Sequence, residues 1–148
     1  SEGVGRSAAE LEAVAGTILD RLDLPARGFT VRTFVERAGA VLGHPIRLVP
    51  YTCPPQAHGA LVRTQRHYLL FFRSNTDPLF GGLIVYHELA HLFLGHAPLG
   101  RTARLYDPAE EREADALAAI LLSCSLGWGM ISSRRIRESD RRLWTVFK

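Results

Sequence analysis

The sequence has few cysteines and no repeated or low-complexity segment. Its two cysteines, Cys53 and Cys124, lie far apart, so a zinc ribbon built on paired C-x-x-C motifs is excluded. Two isolated cysteines are typical of a reducing compartment. The polar stretch 1–12 also lacks the apolar core of a secretory signal. These absences favour a cytoplasmic protein.

Long uncharged runs are also scarce, and the longest, 116–133, approaches the length of a membrane span. It contains serines, a cysteine and two glycines, and it follows directly on a carboxylate cluster. We therefore expect a buried helix followed by a glycine-rich turn, and no membrane partner.

The 148 residues are enough for one domain with its own core, and no linker divides them. The hydrophobic fraction of 47% and the charged fraction of 22% are typical of a globular chain and exclude a disordered one. The net charge of +3 does not by itself indicate a nucleic-acid partner. We expect a single domain over 1–148, with its core at about 30–125 and an arginine-rich C-terminal segment at 132–148.

Both helix-like and strand-like patterns occur along the chain. Ser7-Ala8-Ala9-Glu10 is a capping box that begins a first helix, and Pro25 closes that segment. Further helices are predicted at about 30–42, 80–95 and 109–123, strands at 46–49, 58–63 and 67–73, and loops at 50–56 and 97–108.

Residues 87–91 read His-Glu-Leu-Ala-His, an H-E-x-x-H motif. Residues four apart on a helix differ by about 400° of rotation, so His87 and His91 project from one face. This spacing suits two ligands of one tetrahedral zinc ion, and Glu88 is within reach of a water on the same metal. A chance match on an ordinary core helix would leave two histidines needing buried polar partners. The motif therefore predicts metal-assisted hydrolysis of a peptide bond.

A catalytic zinc site also needs a third protein ligand. His96 comes five residues after His91, about 500° of helix rotation, so we expect it to point away from the pair. The extended pattern H-E-x-x-H-x-x-G-x-x-H is not matched either, because Gly95 comes one residue too late. The acidic cluster at 110–115 is the better source, since it opens a long apolar helix that would be buried.

Within that cluster, Glu111 and Asp115 lie four residues apart on one helix face. Glu111 is the preferred zinc ligand, while Asp115 would hydrogen-bond the far nitrogen of His87 or His91 and fix its tautomer. Glu113 lies about 200° round the helix from Glu111, so the two cannot both serve. We retain Glu113 as the alternative ligand.

These motifs resemble the ImmA/IrrE family of metallopeptidases over about residues 30–122. The matching segments are 86–96, Tyr-His-Glu-Leu-Ala-His-Leu-Phe-Leu-Gly-His, and 111–119, Glu-Arg-Glu-Ala-Asp-Ala-Leu-Ala-Ala. The resemblance implies a small α+β, zincin-like domain in which a short β-sheet packs on the motif helix and on the acidic helix, after N-terminal helices. It implies zinc ligation by His87, His91 and Glu111, with Glu88 as general base. Family members typically cleave a helix-turn-helix transcriptional repressor.

The predicted activity is thus that of a zinc endopeptidase acting on an intracellular regulatory protein. Glu88 would take a proton from the attacking water and pass it to the leaving amine. The oxyanion donor is left open among His58, His96 and Tyr106. The strand predicted at 67–73 is a candidate to receive the substrate as an added strand.

Two other hypotheses stay open beside the endopeptidase. In the first, the chain is a non-catalytic zinc-containing module that sequesters a regulator, although a purely structural site has no need for Glu88. In the second, the arginines of 132–148 bind nucleic acid, although a solvated helix face explains them better. Manganese or iron would also suit two histidines and a glutamate.

Overall fold

The computed structural model describes residues 5–52, 59–96 and 106–128. Four helices and a three-stranded sheet occur in these ranges, which confirms the α+β prediction. The elements are α1 (Ala8–Arg21), α2 (Val31–Leu42), β1 (Ile46–Tyr51), β2 (Gly59–Arg63), β3 (Tyr68–Arg73), α3 (Pro78–Leu94) and α4 (Pro108–Ser125).

The first two helices begin at hydroxyl caps. The predicted capping box is present, because the Ser7 side chain accepts from the Glu10 amide and the Glu10 carboxylate accepts from the Ser7 amide. At the start of α2, the Thr30 hydroxyl accepts from the Thr33 amide, without a reciprocal bond to the Thr30 amide. This second helix ends at Gly43, whose left-handed φ of 78° is a conformation that favours glycine.

The sheet has the strand order β1-β3-β2. β1 runs parallel to β3, and β2 forms an antiparallel hairpin with β3 through a turn closed by Thr64 and His67. The continuously apolar β3 is therefore the central strand, and Leu70 at its middle is fully buried. The expectation that β3 receives an added peptide strand is wrong, because both of its edges are already paired.

The helices α3 and α4 both begin with an Asp-Pro pair. Asp77 and Asp107 are the N-caps, and their carboxylates accept from the amides of Leu79 and Glu110. Proline suits the first helical position because its missing N–H would have no helical partner there. This signal places both helix starts slightly earlier than the apolar periodicity predicted.

One hydrophobic core joins all four helices to the sheet. Leu11 and Ile18 of α1 belong to the same cluster as Phe34 of α2 and Leu70 of β3. Tyr86, at the centre of α3, packs edge-to-face on Phe34 with ring centroids 5.0 Å apart. The hydrophobic core of the described residues therefore includes α1.

The uncharged stretch 116–133 begins inside α4, and the helix ends at Ser125. Residues 116–124 are buried against the other helices, as expected for a core helix. Within the ranges that the structure describes, no helix combines the length and apolar composition needed to cross a membrane.

The strand β2 approaches α3 unusually closely at Gly59. A Cβ at this position would lie 2.5 Å from Ile84 Cγ2, 3.1 Å from the Phe71 carbonyl oxygen and 3.4 Å from Glu88 Cγ. Only a residue without a side chain allows this contact, and the contact brings the edge of the sheet against Glu88.

Replacing Gly59 with alanine is expected to destabilise the fold by about 1–3 kcal/mol, because the added methyl group must displace α3 or β2. Chemical denaturation of the variant and the parent protein measures the difference. Gly81→Ala is the matched control, since a Cβ there meets nothing within 4 Å. That change is expected to add about 0.5–1 kcal/mol of helix stability. Equal losses from both changes would contradict the close approach at Gly59.

Candidate metal centre

His87 and His91 lie on the same face of α3, one turn apart, as the motif requires. Their Nε2 atoms are 3.3 Å apart, and their rings are nearly perpendicular. His91 is buried and His87 is half-buried. The Nε2 atoms of both rings therefore face the same point beside α3.

Glu111 of α4 reaches this point from the neighbouring helix. Its Oε1 atom lies 3.2 Å from His87 Nε2 and 2.7 Å from His91 Nε2. The ligand atoms of the three residues all lie within 4.8 Å of one another, a grouping that could hold a metal ion. The structure thus brings together the residues that the spacing rules singled out, and Glu113 is not among them.

The donor set fits a small tetrahedral metal. With metal–ligand bonds of about 2.0–2.1 Å, neighbouring ligand atoms of a tetrahedron lie about 3.3 Å apart. The Nε2–Nε2 distance of 3.3 Å and the His87–Glu111 distance of 3.2 Å match this value. The shorter His91–Glu111 distance is a direct hydrogen bond that a metal ion would replace.

Asp115 lies behind His87, one turn further along α4 than Glu111. Its Oδ1 atom is 2.8 Å from His87 Nδ1, the ring nitrogen that faces away from Glu111. A carboxylate in this position fixes the tautomer of a ligating histidine and makes it a better electron donor. Asp115 therefore stands where the sequence argument placed it.

The charges of the cluster are strongly coupled. Burial opposes a charge on His87, but the hydrogen bonds that its ring donates to the carboxylates of Asp115 and Glu111 outweigh burial and raise the pKa of His87 to about 10. Burial lowers the pKa of His91. Burial opposes the charge on Glu111 as well, yet hydrogen bonds from both histidines hold the pKa of Glu111 near 2. At neutral pH the raised pKa of His87 favours its imidazolium form, which lies between the carboxylates of Glu111 and Asp115.

Glu88 and Tyr106 lie at the same end of the site. Glu88 is half-buried on α3, with its Cγ atom facing Gly59 of β2. The ring of Tyr106 stacks on His91, with a centroid distance of 3.5 Å and an angle of 8°. Burial and the nearby negative charges of Glu88 and Glu111 raise the pKa of Tyr106 to about 12, so its hydroxyl keeps its proton at neutral pH.

His96 does not point away from the histidine pair as the helical rotation predicted. The helix ends at Gly95, whose left-handed φ of 74° turns the chain back. As a result, His96 Nδ1 lies 2.8 Å from His91 Nδ1, on the side of that ring opposite Glu111. Both nitrogens of His96 are engaged, since its Nε2 atom is 2.7 Å from Glu113 Oε1. His96 is thus placed to support His91 and not to donate to an oxyanion.

Glu113 is buried and contacts Gly5 and Arg6, which are called the N-terminal segment below. It accepts from the backbone amide of Arg6, and its Oε1 atom lies 3.0 Å from the Arg6 guanidinium. Burial alone would raise the pKa of Glu113, but the hydrogen bonds from Arg6 and His96 have the larger, opposite effect. The pKa of Glu113 is therefore lowered. Sequence reasoning missed Arg6, because no local pattern connects residues that are 107 positions apart.

Some residues of the sequence argument lie outside the described part of the chain. These are His58, a candidate oxyanion donor, Cys53, most of the predicted loop at 97–108, and the arginine-rich segment 132–148.

Zinc binding at neutral pH is expected to release about one proton, because His87 must lose its proton to ligate, while the lowered pKa of His91 favours its neutral form. By the same reasoning, zinc affinity falls as pH falls below the His87 pKa. Titration calorimetry in two buffers with different ionisation enthalpies counts the released protons. Asp115→Asn removes a stabilising charge and should reduce the count, whereas Asp20→Asn, at an exposed position of α1, should leave it unchanged. No proton release from the parent protein would contradict the charged state of His87.

The chain was compared with protein-family models, with curated proteins and with solved structures, and no match was found in any of the three.

Proposed function

We propose that this chain is a zinc-dependent endopeptidase of zincin-like fold, related to the ImmA/IrrE family, that cleaves a cytoplasmic regulatory protein such as a helix-turn-helix repressor. The observation that carries the proposal is the convergence of His87, His91 and Glu111 on one point, with Glu88 beside them. This combination of two histidines, one carboxylate ligand and an adjacent carboxylate base is typical of hydrolytic zinc sites.

The exposure of the ligands favours a catalytic site over a structural one. The side chain of His91 is only 2% exposed, whereas that of Glu111 is 42% exposed. The cluster is therefore closed toward the core and open toward solvent on the Glu111 side. Structural zinc sites are enclosed by four protein ligands, while catalytic sites keep one position open. The alternative of a non-catalytic binding module has no comparable support.

A zinc ion held by His87, His91 and Glu111 would supply Lewis acidity and an activated water. In the proposed reaction Glu88 accepts a proton from the attacking water and then donates it to the leaving amine. Glu88 follows the first histidine on α3, and its charge is felt by both His87 and Tyr106. It is thus close to the reacting atoms without being part of the ligand set.

Of the two candidate oxyanion donors that the structure describes, Tyr106 is the better placed. It is stacked on His91 and coupled to Glu88, so it borders the open side of the cluster. Its raised pKa keeps the hydroxyl available as a donor. His96 is engaged on the far side of His91.

The proposed site for the substrate strand is the edge of β2 that no described strand pairs, in place of β3. Among the described strands β2 pairs only with β3, so its other edge is unpaired. Gly59 brings this edge against Glu88. An extended peptide that adds to β2 through main-chain hydrogen bonds would therefore pass the metal ligands with little demand on its sequence.

Glu88→Gln is expected to lower peptide hydrolysis by about 10²–10⁴-fold while retaining zinc, because the amide cannot accept the proton. The assay is cleavage of an unbiased peptide library, read by mass spectrometry, with metal content by elemental analysis. Glu111→Ala is expected to lose both zinc and activity. Glu36→Gln, at an exposed position of α2, is the control and should change neither. Undiminished hydrolysis by Glu88→Gln would overturn the proposed mechanism.

Tyr106→Phe keeps the stacking on His91 and removes only the hydroxyl. We expect kcat to fall by about 10²–10³-fold, as for loss of one oxyanion donor, with little change in KM or zinc content. Steady-state kinetics on a peptide found in the library screen measures both constants. A change confined to KM would assign Tyr106 to substrate binding.

A further inference from the structure

A chain of hydrogen bonds leads from the metal ligand His91 to the N-terminal segment. It runs from His91 Nδ1 to His96 Nδ1 over 2.8 Å, and from His96 Nε2 to Glu113 Oε1 over 2.7 Å. Glu113 is in turn bound by the amide and the guanidinium of Arg6. The side chains of His96 and Glu113 are only 4% and 9% exposed.

Metal ligation by His91 would determine which nitrogen donates and which accepts in each of these hydrogen bonds. If His91 ligates through Nε2, its remaining proton is on Nδ1, and it must donate to His96. His96 then accepts at Nδ1 and donates from Nε2 to the Glu113 carboxylate. Every donor meets an acceptor, so the two rings are held in single tautomers by a buried carboxylate.

Arg6 completes the arrangement by compensating the buried charge of Glu113. A carboxylate in such a place is costly unless it is paired and hydrogen-bonded. Arg6 supplies both, and its guanidinium also donates to the carbonyl of Leu94, the last residue of α3, over 3.4 Å. The adjoining Gly5 packs on Glu113 so closely that a Cβ would lie 3.1 Å from its Cγ and Oε2 atoms. The N-terminal segment is therefore fitted onto this carboxylate.

We propose that Arg6, Glu113 and His96 are positioning residues for the metal ligand His91, so that the N-terminal segment is part of the metal centre. The inference rests on the metal site of the proposed function but not on peptidase activity. Glu113, the alternative ligand in the sequence argument, thereby acquires a different role. It supports His91 through His96, while Asp115 supports His87 directly.

The test is zinc affinity, measured by competition with a chromophoric chelator, in His96→Ala, Glu113→Gln and Arg6→Ala proteins. We expect about 10–100-fold weaker binding for the first two, as for loss of an outer partner of a ligating histidine. Arg6→Ala should act in the same direction but less strongly, and Arg6→Lys should restore part of the loss. The exposed α2 changes Arg32→Ala and Glu36→Gln are the matched controls and should have no effect.

Two further readouts separate positioning from general destabilisation. The absorption spectrum of the cobalt-substituted protein reports ligand geometry and should shift in the three variants but not in the controls. Arg6→Ala should also add nothing when Glu113 is already glutamine, because Arg6 acts through that carboxylate. Thermal unfolding of the metal-free proteins shows whether each variant is folded.

Unchanged zinc affinity and cobalt spectra in folded variants would overturn the inference and leave the peptidase proposal standing. A parent protein that binds no zinc would overturn both. If His96→Ala does not fold, the comparison of Arg6→Ala with Arg6→Lys still decides, because Arg6 is partly exposed and its replacement leaves no buried cavity.

Discussion

Two histidines on the core-facing part of an apolar helix are tolerated only where their ring nitrogens meet polar partners, and this constraint organises the molecule. The partners of His87 and His91 come from outside α3. Glu111 and Asp115 lie on α4, and His96 follows the turn at Gly95. The packing of α3 on α4 therefore buries apolar side chains and also brings polar partners to the imidazoles. Loss of the apolar packing would separate the histidines from these partners.

The acidic start of α4 divides its carboxylates between two sides of the histidine pair. Positions 111 and 115 share a helix face and meet the two nitrogens of His87, whereas position 113 lies on another face and meets His96. Helical rotation alone forces this separation, because residues two apart differ by about 200°. Residues 111–115 thus place two partly exposed carboxylates at the two nitrogens of His87 and one buried carboxylate at His96.

The parts of the structure that follow from local rules could be predicted, and those that depend on distant contacts could not. The capping box at Ser7, the shared face of His87 and His91, and the pairing of position 111 with 115 all follow from helix geometry. His96 was misplaced because a helical rotation was extended through Gly95, which is left-handed and reverses the chain. The central position of β3 depends on parallel pairing with β1, and the contact of Arg6 with Glu113 on a tertiary fit. Neither leaves a periodic pattern in the sequence.

The two sides of the histidine pair differ in a way that assigns them different tasks. On one side the Glu111 side chain is partly exposed, Gly59 of β2 lies against Glu88, and Tyr106 stacks on His91. On the other side His96 and Glu113 are buried, and Arg6 covers them. In the proposed metal centre a cation would reach the ligands from the first side, because the partly exposed carboxylate of Glu111 lies there. The second side can act only through the orientation of His91. In the proposed metal centre, the partly exposed carboxylate of Glu111 could adjust its position to a metal ion. The rings of His87 and His91 would then have to be held in place by other residues, and the buried hydrogen bonds of His96 and Glu113 hold His91.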